Sequence, residues 1–552
     1  MIQSPKFDDG LHVTIDSCRL RREGREILKD IKFNINQGEI IGIIGESGAG
    51  KSTLFHSILG YLSPSDWEIK GSVVHNSVNL LTYSPKKWEA LRGKTFRILL
   101  QEPVISVNPA FRIEYQLDQS YKLACPFLPK SQRQKKIIDL MQSLGLSTDE
   151  ELLKRYPGEI SGGQLQRISI AMAIGPPCKY LFVDEPTNSL DSIISVDLIK
   201  LLRKLHKNGH ARSLIFITHD LSIARALDCD RILMLKEGRL VEDSIFRDFA
   251  ASPDSNHAQR MISTQEWLFR FGDQDRIRHT IKEESNVVGE VKNLSYSYPR
   301  KGIISKRGPD VIHNMSFKLQ QGNFLGLVGN SGEGKTTIAL SLALLFNEFR
   351  GEISILNTNI KKLRKHKINR RFRHHIQLIT QNASTSFDPE QTILENSIEC
   401  LKGRGVPIDT GLNAFKRLMR YFQISERCIN AYPHQLSSGE KQRLAIIRAL
   451  SGDLRILVAD EPFMHLDAAN KERLVRLLLI LKRRKDNPLT VVMIMHDLYL
   501  ARGICDSILI IHKGKILEED NPDVIFRSPK QEQTKRLVDA TRFFGYTSSN
   551  IH

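Results

Sequence analysis

The chain has no paired cysteines. Its seven, Cys18, Cys125, Cys178, Cys229, Cys400, Cys428 and Cys505, are scattered without a CxxC. That spacing excludes a disulfide framework and the usual zinc and iron–sulfur sites. No apolar run approaches the roughly 18–20 residues that cross a bilayer, and the opening "MIQSPKFDDG" lacks the regions of a signal peptide. The expectation is a chain on the cytoplasmic side, whose membrane role, if any, comes through a partner. Aromatic residues are sparse where charge is dense. The run "KKLRKHKINRRFRHH" at 361–375 holds only Phe372 among its basic residues, so it lacks the stacking platform of a single-strand binder. Despite a net charge of +18, nucleic acid is not the expected partner; an anionic lipid surface or a merely solvated face remains open.

What is there is a duplication. A chain of 552 residues is too long for one core. "GEIIGIIGESGAGKST" at 38–53 returns as "GNFLGLVGNSGEGKTT" at 322–337, and "KYLFVDEPTNSLD" at 179–191 as "RILVADEPFMHLD" at 455–467. "LIFITHDLSIARAL" at 214–227 returns as "VVMIMHDLYLARGI" at 491–504. "YPGEISGGQLQR" at 156–167 returns as "YPHQLSSGEKQR" at 432–443, at an offset of 432 − 156 = 276. The repeat is longer than any solenoid unit and marks a duplicated domain. Apolar β-branched runs before each glycine or acidic cluster, with helical patterns after, predict an α/β fold with a mostly parallel sheet. The polar stretch "GDQDRIRHTIKEESN" places a linker at 272–286, between domains at 1–271 and 287–552.

The spacings carry phosphate chemistry. Gly45, Ser47, Gly48, Gly50, Lys51, Ser52 and Thr53 fit GxxxxGK[ST], as do Gly329, Ser331, Gly332, Gly334, Lys335, Thr336 and Thr337. Glycines let backbone N–H groups converge on phosphate oxygens at the positive end of a helix. The lysines reach the terminal phosphates, and Ser52 and Thr336 suit Mg²⁺. An apolar strand delivers Asp184 and Glu185, and another Asp460 and Glu461. The aspartates suit the metal, and the glutamates suit the polarisation of an attacking water. His219 and His496, at matching positions, suit a γ-phosphate contact.

"ISGGQ", a second glycine-rich helix start in each copy, completes a resemblance to the ATP-binding cassette ATPases. It implies two tandem P-loop nucleotide-binding domains, each with a RecA-like core, an antiparallel β subdomain and a helical subdomain (about 103–155 and 383–431). It implies ATP and Mg²⁺ as cofactors and head-to-tail pairing within the chain, each signature completing the other domain's site. One site would combine Lys51, Glu185 and His219 with Ser437, Ser438 and Gly439. The other would combine Lys335, Glu461 and His496 with Ser161, Gly162 and Gly163. The family's glutamine loop maps to Gln101 and Gln381, also metal candidates, and its later aspartate to Asp191 and Asp467. Its adenine-stacking aromatic maps to Tyr298, and a gapless alignment puts Arg22 at the matching place. Arg22 and Ser438 both fall on the first site, which is therefore expected to be the slower or weaker one.

"LLQEPVISVNPAF" at 99–111 and "ITQNASTSFDPEQT" at 379–392 resemble the glutamine loop of oligopeptide, dipeptide and nickel import ATPases. The "IF…SP" tail after each domain does too. The usual proline–tyrosine element and cysteine cluster of that tail are absent. The resemblance implies ATP-driven import of a small peptide-like or metal-related solute. The partners would be two membrane permeases and an extracytoplasmic solute-binding protein, with the chain peripheral on the cytoplasmic face of the inner membrane. A tandem ATPase for monosaccharide import and a soluble twin-cassette translation factor stay open as alternatives.

Overall fold

A computed structural model describes residues 10–46, 48–101, 103–146, 150–187, 190–273, 286–299, 307–346, 348–360, 375–452 and 454–545. Ser47, most of the basic run at 361–375 and most of the expected linker lie outside the described residues. Contacts divide the chain into two units. The first is Met1–Gln265 with Phe543–His552, and the second is Glu266–Arg542. The last residues go with the first unit because Phe543 and Phe544 pack against its core. The expected limits at 271 and 287 stay a proposal about folding boundaries.

The first unit is built on a six-stranded sheet ordered Arg239–Ile245, Arg231–Lys236, Ile40–Ile44, Ala211–Thr218, Cys178–Asp184 and Phe96–Leu99. All its neighbours run parallel except the first pair. Strands covered on both faces read as continuous apolar runs, and all five residues of Ile40–Ile44 are buried. An antiparallel four-stranded sheet adds Arg25–Ile35, Leu11–Leu20, Trp67–His75 and Val78–Asn79. Between the strands Phe96–Leu99 and Cys178–Asp184 lies a helical layer: Ile113–Ala124, Lys130–Ser143, Glu150–Lys154 and Gly162–Ile174.

The second unit repeats this plan. Its parallel sheet runs Ile376–Ile379, Ile456–Asp460, Thr490–Met495, Phe324–Val328 and Ser507–His512, with Lys515–Asp520 antiparallel at the edge. Its helical layer holds Ile393–Arg404, Ile408–Tyr421 and Ser438–Leu450. The expected core, antiparallel sheet and helical subdomain are thus present twice. Among the described residues no helix is long and apolar enough to cross a membrane.

Candidate functional sites

Each phosphate loop joins a buried strand to a helix. Ile40–Ile44 leads to Gly45, and Lys51–Ile58 follows Gly50, whose φ is 98°. Phe324–Val328 leads to Gly329, and Lys335–Leu342 follows Gly334 at φ 88°. A side chain would strain both helix entries. Nearer the strand, a Cβ on Gly45 would stand 2.3 Å from the Leu235 carbonyl oxygen, and one on Gly329 2.4 Å from that of Ile511. The loops therefore press against the neighbouring strand at their base. Lys51 donates to the carbonyls of Gly45 (2.8 Å) and Glu46 (2.9 Å). Lys335 donates to Gly329 (2.8 Å) and Asn330 (2.6 Å). Both lysines are folded back over their own loops, holding the curvature that a phosphate fits.

Asp184 and Asp460 end buried strands, 6% and 3% exposed. Each bonds the hydroxyl after the loop lysine, Ser52 and Thr336 respectively. Burial pushes both carboxyls up to about 6; the neighbouring glutamate adds to this, while the hydroxyl and the loop lysine oppose it. Among the described residues no hydrogen bond reaches the buried Asp460 Oδ1. A hydroxyl beside an aspartate, with a buried oxygen left over, is a hard donor set that suits Mg²⁺. The residues present therefore fit the metal that accompanies a nucleoside triphosphate.

Glu185 and Glu461 follow with left-handed backbones, φ 45° and 51°. Their amides are tied to the carbonyls of Ile217 (3.1 Å) and Ile494 (3.2 Å) on the adjacent strand. This strained conformation is held by its surroundings, and nothing in the letters "VDEP" and "ADEP" announces it. Gln101 Nε2 donates to Glu185 Oε2 at 3.0 Å, and Gln381 bonds Glu461. The structure thus brings the two glutamines to the glutamates rather than to the hydroxyl–aspartate pairs.

The histidines differ between units. His219 Nδ1 stands 3.5 Å from Glu185 Oε1, whereas His496 Nε2 is 2.7 Å from Glu461 Oε1. Burial alone would raise the Glu461 carboxyl, but the His496 bond and charge, with Lys335 and Gln381, bring it below its ordinary value. Glu461 is thereby kept as the anion that a base must be. Gln265 was not foreseen: its side chain donates to the His219 carbonyl and accepts from the Leu221 amide, fixing that loop. It lies 46 residues downstream of His219, where no local pattern points to it. Glu333, inside the second loop, was also missed; it accepts from His512 Nδ1 (3.0 Å) and from the Lys513 amide.

Each signature is a capped helix start. Ser161 caps Gly162–Ile174 and accepts from the Gln164 amide, while the Gln164 side chain takes the Ser161 N–H. Ser437, Glu440 and Ser438–Leu450 form the same box. Gln164 and Glu440 are interchangeable here because either supplies the returning oxygen. A Cβ at Gly162 or Gly163 meets nothing within 4 Å, so Ser438 enters the Gly162 position without displacing a neighbour. Asp191 and Asp467 cap the helices after the acidic strands, accepting from Ile194 (3.0 Å) and Asn470 (2.8 Å). Asn108 and Asp388, which differ between the glutamine-loop motifs, both accept from the amide two residues on, at 2.9 Å.

The aromatic position needs correction. Tyr298 donates to or accepts from Thr337 Oγ1 at 3.0 Å, which places its half-exposed ring beside the second loop. Its counterpart is found through strand register. Ser17 pairs with Lys70 just past Gly71, and Ser295 with Arg350 just past Gly351, both glycines having positive φ. Counting three residues on from each serine reaches Leu20 and Tyr298. Arg22 lies in the turn beyond, its side chain 87% exposed and 4.0 Å from Asp66. A gapless alignment failed because the two copies carry different spacings between strand and loop.

The ABC transporter family model matches residues 28–188 and 312–464, one stretch in each unit. The chain is 31% identical over 525 residues to "Uncharacterized ABC transporter ATP-binding protein YejF" of Escherichia coli K12, covering 93% of this chain and 96% of that protein. It is 30% identical to "Peptidoglycan transport ATP-binding protein YejF" of Agrobacterium fabrum, covering 92% of each. It is 28% identical to "Glutathione import ATP-binding protein GsiA" of Escherichia coli K12, covering 93% of this chain and 86% of that protein. The archaeal ribosome recycling factor aABCE1, solved with the ribosomal stalk protein aP1, shares the fold over 98% of this chain and 93% of its own. Its TM-score is 0.60 at 19% identity. Two phosphate loops, two acidic strand ends and two capped signatures belong together in one kind of protein, and the chain is a tandem member of the ABC transporter ATPase family.

Proposed function

We propose that the chain is the energy-coupling subunit of an importer for a small peptide-like solute. In this reading two separate membrane permeases form the path and a solute-binding protein delivers the cargo. The observation that carries it is the alignment over more than nine-tenths of the chain with tandem transport ATPases whose names specify peptidoglycan and glutathione. Glutathione is a tripeptide and peptidoglycan carries short peptides on its sugar chains, and the peptide that the two share favours a peptide cargo over a metal complex or a free sugar.

ATP with Mg²⁺ supplies the phosphoanhydride whose hydrolysis drives the cycle. The loops ending in Lys51 and Lys335 bind its phosphates, and Ser52 with Asp184 and Thr336 with Asp460 hold the metal. Glu185 and Glu461 take the proton of the attacking water, held in place by His219 and His496. Gln101 and Gln381 link the glutamates to the helical subdomains that receive the permeases. The signature of one unit completes the phosphate site of the other, so closure depends on two nucleotides and favours the state that holds them. Leu20, Ser438 and the longer His219 contact all fall on the site built on Lys51, which is the slower of the two.

The test is purification of the tagged chain from membranes in mild detergent, with identification of co-purifying proteins. Two multi-span membrane proteins are expected. Ribosomal proteins and RNA without any membrane protein would overturn the reading in favour of a translation factor.

A further inference from the structure

The two units differ at the ends of the parallel strands opposite the phosphate loops. In the second unit Lys482, fifteen residues after the cap Asp467, closes this place. Its Nζ lies 2.8 and 2.7 Å from the two oxygens of Asp506 and 4.7 Å from the centre of the Phe324 ring. Lys482 and Asp506 side chains are only 9% and 11% exposed. Asp506 accepts from the Phe324 amide, as Asp230 accepts from the Ile40 amide in the first unit, so the two places correspond.

In the first unit the residue fifteen after the cap Asp191 is His206, and Ile40 replaces the ring. The shorter side chain leaves Asp230 exposed and opens a cavity of about 490 Å³, within the range of small-molecule sites. Among the described residues nothing hydrogen-bonds the buried His206 Nδ1 behind this wall. Two further changes put charge into the wall. Arg203 and Arg212 line the cavity where the second unit, by helix position and strand register, has Leu479 and Leu489. Lys207 joins them, Asp228 pairs with Arg203 and stands 4.0 Å from Lys207, and Asp230 completes the lining. Arg212 has no ion pair among the described residues.

The half-buried Arg203 and exposed Arg212 thus stand where the other copy has the half-buried Leu479 and buried Leu489, around a space that a lysine fills there. An exposed guanidinium and a charged wall therefore meet at a cavity that the other copy closes with a lysine. We propose that this cavity binds a small phosphate ester bearing hydroxyl groups. Arg212, Lys207 and His206 would take the phosphate, since guanidinium forks suit it. Asp230 and Asp228 would accept from the hydroxyls. The cavity lies at the starts of the strands Ile40–Ile44 and Ala211–Thr218, whose far ends carry the phosphate loop and His219. The inference stands apart from the transport reading and does not depend on it.

The test is calorimetric titration of glycerol 3-phosphate into the full chain carrying E185Q and E461Q. Saturating MgATP occupies the phosphate loops. One binding event per chain is expected, with glycerol giving none. H206K and R212L, which copy the residues of the second unit, should each weaken binding at least tenfold while leaving melting temperature and ATP binding unchanged. Absence of binding would overturn the proposal. So would binding that both variants leave intact, or equal binding of glycerol.

Discussion

Replacing His496 with alanine is expected to slow ATP hydrolysis about ten times more than replacing His219. The contact between His496 and Glu461 is 2.7 Å long, and the two side chains are 21% and 15% exposed. A hydrogen bond to a charged group in such a setting is worth about 2 kcal/mol, which corresponds to roughly 30-fold in rate. The contact between His219 and Glu185 is 3.5 Å, beyond the usual range for N–H···O bonds. Its loss should cost about 0.7 kcal/mol, or roughly threefold. A second readout separates base positioning from general damage. With His496 gone, burial is no longer opposed by the imidazole, so the Glu461 carboxyl rises. A base works only when deprotonated, so the acid limb of the rate profile should move to higher pH in H496A. Steady-state turnover of both variants between pH 5 and 9 measures the two effects. Equal losses, or an unmoved acid limb in H496A, would refute the link between contact length and base strength.

Three other outcomes are expected. E440Q keeps the capping oxygen but removes a charge from a helix start, which should cost about 0.5 kcal/mol at pH 7. Because the folded Glu440 carboxyl titrates below its ordinary value, that difference exists above about pH 4.5. It should vanish as the pH falls through the folded value, as read by denaturant melts of both proteins. Asp460 titrates at about 6 when folded, so its charged form opposes folding above that pH. D460N should therefore melt higher than the parent at pH 8 without nucleotide, with the gap narrowing toward pH 5, and should lose Mg²⁺-dependent hydrolysis at either pH. Finally, L20Y should tighten ATP binding several-fold by supplying the ring that Tyr298 supplies in the second unit, and Y298A should weaken it; fluorescent nucleotide titrations measure both.

The motifs were legible because phosphate chemistry leaves little choice of residue type at each step. A glycine that must turn, a lysine that must reach and an acid that must end a strand keep their letters when a domain is duplicated. The α/β order and the two copies followed from those letters alone; that Ser52 bonds Asp184 and Thr336 bonds Asp460 came from the fold. What escaped was set by distance along the chain or by backbone geometry. Gln265 holds the His219 loop from a later helix, and the left-handed turns at Glu185 and Glu461 belong to any sequence that must aim a carboxylate back at a loop. Arg22 was misplaced because its position depends on strand register, which a gapless comparison ignores. With Leu20 at that place, the departure at the first loop is an aliphatic side chain rather than an arginine.

That change bears on how the halves have diverged. Ser438 enters open space, Glu440 preserves the cap and Asp388 preserves the turn of Asn108, so these substitutions keep geometry while altering charge or polarity. Leu20 replaces the ring that Tyr298 places beside the second loop, and the His219 contact to Glu185 is longer than its counterpart. Both act on the site that contains Lys51, whereas Glu185, Asp184 and the loop itself are retained. Selection that had abandoned this site would not have spared a buried aspartate that disfavours the folded state above pH 6. On the proposed reading it is a site kept for binding and relieved of speed, in the same unit that has a charged cavity where the other has a lysine. On that reading the slower half is the one with a place to respond to a second ligand, because it is where the cavity opens.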